Sequence, residues 1–352
     1  MKSKLALYGF INAKLKSRVS LFLSAEIKDA MIRSKSLVEA FLPLRTTPFE
    51  GLEKLYSATG DLKMAEAELF AAEMRSYTEL FRFCSGPVLA FVKALSRNPE
   101  TEVIKALLRL WFDSHVRGRT IDDRTAYCYR GRLLEQLDAD EVLNAGTADG
   151  LVSLFSRTAY AHAVRDFLPE AVKTGSVFEL ETAIDKVYYA LLHEACGALD
   201  SGDRKIAEHF IALDVDIQNI SSLVRLSSFG KMPAEAIRGY LVDFPSAVAS
   251  SSLMSAYGSE NVAGAAVALL GRRYEALASF WDRGDIGAKL SGLERLLREM
   301  RTREAERLLG GNPFSIGIVI AYFSLKADEL SDIRTILNAR YYELPEDRIR
   351  SI

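Results

Sequence analysis

The sequence is poor in the residues that metal centres and disulfide frameworks require. Its 352 residues include only three cysteines, Cys84, Cys128 and Cys196, which lie far apart and form no Cys-x-x-Cys pair. The four histidines are isolated from one another, with no spacing typical of metal ligands. A small, odd number of scattered cysteines argues against a disulfide framework and against a zinc site. We therefore predict no metal site, and free thiols in a reducing cytoplasm.

Catalytic motifs are also lacking. The chain contains no Gly-Lys-Ser/Thr phosphate loop, no Gly-x-Ser-x-Gly turn and no His-Glu-x-x-His helix. Neighbouring carboxylates such as Asp214 and Asp216 are interpreted as helix caps or solvated turns, because no partner for acid–base chemistry is evident. The sequence therefore predicts no catalytic residue and no cofactor. An enzyme with a buried helical active site is kept as a rival hypothesis.

No apolar run is long enough to cross a bilayer. The longest, residues 262–270 and Ile316–Phe323, fall well short of the about 20 residues that a spanning helix needs. The chain begins with basic and then apolar residues, but Lys14, Lys16 and Arg18 interrupt that stretch too early for a secretory signal. The sequence therefore predicts no transmembrane span.

The charge balance is unlike that of a nucleic-acid-binding protein. Charged residues make up 26% of the chain, but the formal net charge is only −2. A generic nucleic-acid binder is clearly basic, and the aromatic residues here lack the interleaved basic residues of a nucleic-acid groove. We therefore predict no nucleic-acid partner.

What the sequence does contain is helical periodicity. Only nine prolines interrupt the chain, and apolar residues recur at three- and four-residue spacing over most segments, which predicts an all-α fold. Asn98-Pro99-Glu100 is typical of a helix start, because a capping amide precedes a proline in the first turn. Pro233 and Pro345 predict two further helix starts, and each is followed four residues later by Ile-Arg.

One hexapeptide occurs three times, as Ile104–Arg109, Ile220–Arg225 and, more weakly, Ile333–Asn338. The copies are 116 and 113 residues apart, about the length of a small domain. Each places aliphatic residues at i, i+3 and i+4, which form one stripe of a helix. We predict that these residues anchor the cores of similar helical units.

The spacing of the hexapeptides divides the chain into three predicted units, residues 1–118, 119–230 and 231–352. No low-complexity linker separates them, so we expect them to pack on one another. Three similar units in series predict a pseudo-threefold ring or funnel, and a stacked solenoid is the alternative.

The three predicted units differ in charge. Residues 1–118 contain 18 Lys and Arg against 13 Asp and Glu, residues 119–230 contain 11 against 18, and residues 231–352 contain 16 against 16. Such asymmetry orients a protein between partners of opposite sign. We predict that the basic first unit and the acidic second unit divide the contacts with partners, and drift on solvated surfaces is the alternative.

Arg109 and Arg225 are the candidate partner-facing residues. Each follows the aliphatic triplet of its hexapeptide and would line an inner surface at equivalent positions. The other interpretation is that both bind carboxylates or helix ends within their own unit. The third copy has Asn338 at this position, which breaks strict threefold equivalence.

Two terminal segments resemble a known family. Residues Leu7–Arg18 resemble its N-terminal signature, and Ile316–Phe323 followed by Glu329–Leu337 resembles its C-terminal one. The family is the C subunit of archaeal and bacterial V/A-type rotary ATPases, equivalent to the d subunit of the eukaryotic V-ATPase. The resemblance covers essentially the whole chain. Departures include Gly9 and Phe10 in the opening segment, and Asn338 where an arginine is expected.

The resemblance implies an all-helical funnel of three similar units without an active site. It implies a peripheral position on the cytoplasmic side of a membrane, with two partners: the central shaft subunits and the proteolipid rotor ring. The implied function is a socket that transmits torque between the ATP-hydrolysing head and the ion-translocating membrane sector. The alternative function is a free-standing helical adaptor that scaffolds cytosolic proteins.

Overall fold

The computed structural model describes residues 3–125, 127–131, 133–229, 232–245, 247–270 and 286–350. Throughout these residues every regular element is a helix and there is no strand, so the prediction of an all-α fold is confirmed. The predicted boundary between residues 230 and 231 lies outside the described residues, and the division into three sequence units remains a prediction.

The described helices occur in the following order along the chain. Their bounds are α1 Lys4–Val19, α2 Ala25–Arg33, α3 Leu37–Phe41, a 3₁₀ turn Leu42–Thr46, α4 Gly51–Thr59, α5 Leu62–Phe81, α6 Gly86–His115, α7 Asp122–Thr125, α8 Ala139–Leu143, α9 Ala148–Phe155, α10 Ala161–Thr174, α11 Phe178–Gly197, α12 Ser201–Phe229, α13 Ala234–Arg238, α14 Ser250–Tyr257, α15 Val262–Ala268, α16 Ile286–Leu309, α17 Gly317–Tyr341 and α18 Glu346–Arg350.

The chain forms two compact units. The first comprises Met1–Ala195 together with Lys326–Ser351, and the second comprises Cys196–Leu325. The first unit therefore contains segments from both ends of the sequence.

Each hexapeptide lies in the C-terminal half of a long helix. The three helices, α6, α12 and α17, contain 30, 29 and 25 residues, and we call them long helices 1, 2 and 3. The aliphatic residues at i, i+3 and i+4 of the three copies are all buried, with none more than 5% exposed. The prediction that they anchor hydrophobic cores is confirmed.

The three copies lie in three different cores. Ile104 packs in a core of described residues between Met74 and Ile184, and Ile220 packs in a core of described residues from Ile220–Val267 and Leu293–Met300. Ile333 lies in a core that combines Leu330–Ile349 with Leu23–Leu69 from the start of the chain. The last long helix is thus completed by the N-terminal segment.

Polar contacts reinforce the joining of the two chain ends. The Glu329 carboxylate accepts a hydrogen bond from the backbone N–H of Leu23 at 2.7 Å, and Lys28 Nζ lies 2.7 Å from Asp332 Oδ2. The Arg340 guanidinium donates to the Ile32 carbonyl oxygen. Because these contacts surround a shared apolar core, the N-terminal segment and the last long helix form one structural element.

Two predicted helix starts are confirmed and one is wrong. Short helices begin directly after Pro233 and Pro345, and the isoleucine of each following Ile-Arg pair is buried. Pro99, in contrast, lies inside long helix 1. Burial on both sides of the proline, at Val92 and Ile104 for example, holds the helix together despite the lost backbone hydrogen bond.

Candidate functional site

An acidic residue lies four positions before the isoleucine of each hexapeptide. Glu100, Asp216 and Glu329 each accept a hydrogen bond from the backbone N–H of a distant segment. The acceptor distances are 3.0 Å to Glu135 N, 2.6 Å to Val248 N and 2.7 Å to Leu23 N. Each acid therefore fixes an incoming loop to a long helix and satisfies a backbone donor that would otherwise lack a partner.

Burial shifts the pKa of two of these acids. Burial raises the pKa of Glu100 above its ordinary value, although the Glu135 backbone N–H and Arg97 oppose the shift. Burial likewise raises the pKa of Asp216, against the hydrogen bond from Val248. The sequence predicts Asp216 in a cap or a solvated turn, and that prediction is wrong because Asp216 lies within long helix 2. Its carboxylate is a structural acceptor.

The last residue of each hexapeptide contacts a glutamate on another helix. Arg109 donates from Nε and Nη2 to the two carboxylate oxygens of Glu181, at 2.5 and 2.8 Å. Arg225 donates from Nε to Glu294 Oε1 at 3.1 Å and also from Nη2 to the same oxygen. The shorter Asn338 uses its amide nitrogen to donate to Glu66.

Arg109 and Arg225 thus both bind carboxylates, and each lies in a different compact unit. The hydrogen bonds to Glu181 raise the pKa of Arg109, so its guanidinium stays positively charged. The two arginine side chains are nevertheless 48% and 57% exposed, which leaves part of each guanidinium open to solvent. Their assignment as partner-facing residues remains a prediction.

Sequence reasoning missed the acids and the glutamates. A signal for the acids was present, because all three copies have Asp or Glu four positions before the isoleucine. The glutamates Glu181, Glu294 and Glu66 have no such local signal, since they are brought to the hexapeptides by the packing of separate helices.

Further polar contacts hold the segment after long helix 1 in place. Arg97 forms an ion pair with Glu135, whose second carboxylate oxygen accepts from the Ala159 backbone N–H at 2.8 Å. The hydroxyls of Thr101 and Tyr160 lie 3.0 Å apart, and burial raises the pKa of Tyr160 to about 12. These groups are engaged in fixing the backbone.

A cavity of about 420 Å³ lies beside the first hexapeptide. Its lining is mostly apolar, and its charged groups already have partners: Arg109 binds Glu181, Glu102 lies 2.6 Å from Lys105, and Arg124 lies 2.9 Å from Asp113. Groups paired in this way are poorly suited to acid–base catalysis. The full lining is Ala67, Phe70, Glu102, Val103, Ala106, Leu107, Arg109, Leu110, Arg124, Tyr127, Cys128 and Tyr129.

The cysteines and other potential ligands show no reactive arrangement. Burial raises the pKa of Cys84 to about 11 and that of Cys196 to about 12, and it also raises the pKa of Cys128. Protonated thiols are weak nucleophiles at neutral pH. Over the part of the chain that the structure describes, no group of His, Cys, Asp and Glu has the geometry of a metal site.

Comparison with known proteins gives a match over nearly the whole chain. The model of the family described as ATP synthase (C/AC39) subunit matches residues 11–352. The C subunit of the A-type ATP synthase of Methanothermobacter thermautotrophicus is 21% identical over 338 residues, which are 95% of this chain and 84% of that protein. The corresponding protein of Methanocaldococcus jannaschii is 21% identical over 353 residues, covering 99% of this chain and 86% of that protein. That of Thermococcus gammatolerans is 23% identical over 330 residues, with 94% and 85% covered.

Proposed function

Because this chain belongs to the ATP synthase (C/AC39) subunit family, we propose that it is the central-stalk socket of a rotary ATPase. Family membership makes it a non-catalytic subunit of such a complex. The finer role that we propose is to join the central shaft to the proteolipid rotor ring. In that position it transmits torque for ATP-coupled transport of protons or sodium ions.

The observation that carries this proposal is the threefold recurrence of one structural motif. In each copy an acid fixes a loop, buried aliphatic residues anchor a core, and a terminal Arg or Asn contacts a glutamate. The first two copies contact glutamates that follow them in the sequence, whereas the third contacts Glu66 near its start. The recurrence of the motif is the support for the pseudo-threefold funnel that we propose.

A torque-transmitting subunit needs rigidity and separate surfaces for its partners. Buried cores and the repeated polar contacts supply rigidity to each compact unit. We further propose that the basic residues 1–118 and the acidic residues 119–230 face different partners, since charge complementarity favours correct pairing.

The proposed position is peripheral, on the cytoplasmic side of the membrane. No helix among the described residues combines the length and apolar character needed to cross a bilayer. The proposed partners would therefore hold the subunit at the membrane. The alternative of a free-standing adaptor lacks support from the comparisons, because the matched relatives are subunits of ATP synthases.

The test is a pull-down of the purified full chain with its candidate shaft subunits and, separately, with detergent-solubilised rotor ring. Binding to both is expected. Failure to bind either one would overturn the socket proposal.

A double-mutant cycle tests whether Arg109 faces the shaft or only binds Glu181. If Arg109 faces the shaft, Arg109→Ala weakens shaft binding while Glu181→Ala leaves it unchanged or improves it, because the freed guanidinium reaches the partner. If the ion pair serves only the fold, both single variants and the double variant affect shaft binding equally. Matched Arg225→Ala and Glu294→Ala variants apply the same test to the second copy.

A further inference from the structure

Aromatic rings and cations meet where α1 approaches the turn between α5 and long helix 1. The Phe10 and Phe83 ring centroids are 4.7 Å apart. The Lys14 Nζ lies 5.1 Å from the Phe83 centroid, and the Arg82 guanidinium carbon lies 4.7 Å from it. We call Phe10, Lys14, Arg82 and Phe83 the aromatic–basic patch. Each cation is placed over a ring in a cation–π contact, so the four side chains form one cluster.

The patch is apolar as well as basic on its exposed side. Phe10 remains 61% exposed despite its contact with Phe83. Clustered exposed apolar side chains beside cations mark an interaction surface more often than scattered ones do.

The surrounding charge has one dominant sign. Residues 1–25 contain five basic residues and no acidic residue. Glu79 on α5 contacts α1, where it forms an ion pair with Arg18. The N-terminal segment therefore carries an excess of positive charge, and this excess favours a negatively charged partner.

We propose that the aromatic–basic patch contacts an anionic lipid surface. Burying a phenylalanine ring at the boundary between headgroups and acyl chains is energetically favourable. Lys and Arg side chains can contact the lipid phosphates from the same side. A purely acidic protein surface would match the charge but leave the exposed Phe10 ring uncovered. One such patch gives weak, reversible binding, which suits a subunit that other contacts already hold at a membrane.

The patch is remote from the candidate partner-facing residue of the same unit. It lies beside Gly86, where long helix 1 begins, and Arg109 lies 23 residues further along that helix. At the α-helical rise this separation is about 35 Å. The inference rests on the proposed function for a nearby membrane, but the patch and Arg109 can be tested separately, so the failure of one is distinguishable from the failure of the other.

Vesicle co-sedimentation of the purified full chain tests the inference. We expect clear binding to vesicles of equal parts phosphatidylcholine and phosphatidylglycerol, little binding to phosphatidylcholine alone, and release by high salt. Neutralising two basic residues with Lys14→Gln and Arg82→Gln should reduce the partition coefficient at least about tenfold. Phe10→Ser should reduce it about fivefold or more by removing exposed apolar surface.

Matched controls lie on α10 of the same compact unit. Arg165→Gln with Lys173→Gln removes the same charge, and Phe167→Ser removes a side chain that is 40% exposed. Circular dichroism confirms that each variant is folded. Equal binding to both vesicle types, or an equal loss in the control variants, would overturn the proposal. Absence of vesicle binding together with capture by soluble polyglutamate would assign the patch to an acidic protein partner instead.

Discussion

The core around Ile104 and the core around Ile333 are built from different parts of the chain. The first is supplied by one continuous stretch, residues 74–184, in which the segment after the long helix packs back on it. In the second, the residues that pack on the last long helix come from Leu23–Leu69, near the start of the chain. The last long helix thus shares its core with the start of the chain, whereas the first long helix is completed by the segment that follows it.

The polar contacts of the two cores differ in strength as well as origin. Arg109 forms a two-oxygen ion pair with Glu181, whereas Asn338 makes a hydrogen bond to Glu66. A neutral donor reaches its acceptor with less electrostatic attraction than a guanidinium. The third copy thus keeps the contact but not the charge.

The largest expected effect comes from truncating the anchoring isoleucines. Ile104→Ala and Ile333→Ala should each lower the free energy of unfolding by about 2–5 kcal/mol, because each leaves a cavity in a fully buried site. Urea unfolding measures the loss. Limited proteolysis with mass spectrometry should show that Ile333→Ala exposes cleavage sites in Leu23–Leu69 as well as near the C-terminus. Cleavage confined to the C-terminal side would contradict a shared core.

A smaller, pH-dependent effect is expected at the buried acid of the first copy. Because burial raises the pKa of Glu100, the folded protein binds more protons than the unfolded chain from the ordinary value of 4.5 up to the raised pKa. Its contribution to stability therefore falls as the pH rises through that window. Glu100→Gln removes this dependence, so the variant should gain stability relative to the natural protein between pH 4.5 and neutral pH.

Urea midpoints at several pH values give this difference directly. Asp216→Asn, at the equivalent position of the second copy, should show the same sign, since burial also raises the pKa of Asp216. A difference that is constant with pH would refute the role of burial at these positions.

The smallest expected effect comes from exchanging the terminal residues of the hexapeptides. Asn338→Arg should replace the hydrogen bond to Glu66 with an ion pair and raise the free energy of unfolding by at most about 1 kcal/mol. Arg109→Asn should lower it by a similar amount. A gain for Asn338→Arg that disappears at high salt would support the ion pair, while a loss of stability would show that Arg does not fit the third site.

Much of the local architecture could be predicted from the sequence. The helical class, the burial of the hexapeptides and the helix starts after Pro233 and Pro345 all follow from short-range periodicity and capping chemistry. The prediction at Pro99 is wrong because the sequence signal for a helix start is local, whereas the continuity of long helix 1 depends on burial along its length.

The long-range part of the candidate site was beyond sequence reasoning. Glu181 and Glu294 lie about 70 residues after the arginines that they bind, a separation at which no helical periodicity links two positions. The hydrogen bond from Leu23 to Glu329 is even harder to predict, because the two residues are 306 positions apart in the sequence. Only the folded structure brings such groups together.

The joining of the two chain ends has a consequence for how the protein is made. During synthesis Leu23–Leu69 leaves the ribosome long before Leu330–Ile349, so its apolar side chains lack this partner until the last long helix has been made. The core around Ile104 can form much earlier. A prematurely terminated chain would keep this N-terminal surface uncovered, and chaperones or proteases would recognise it as incomplete.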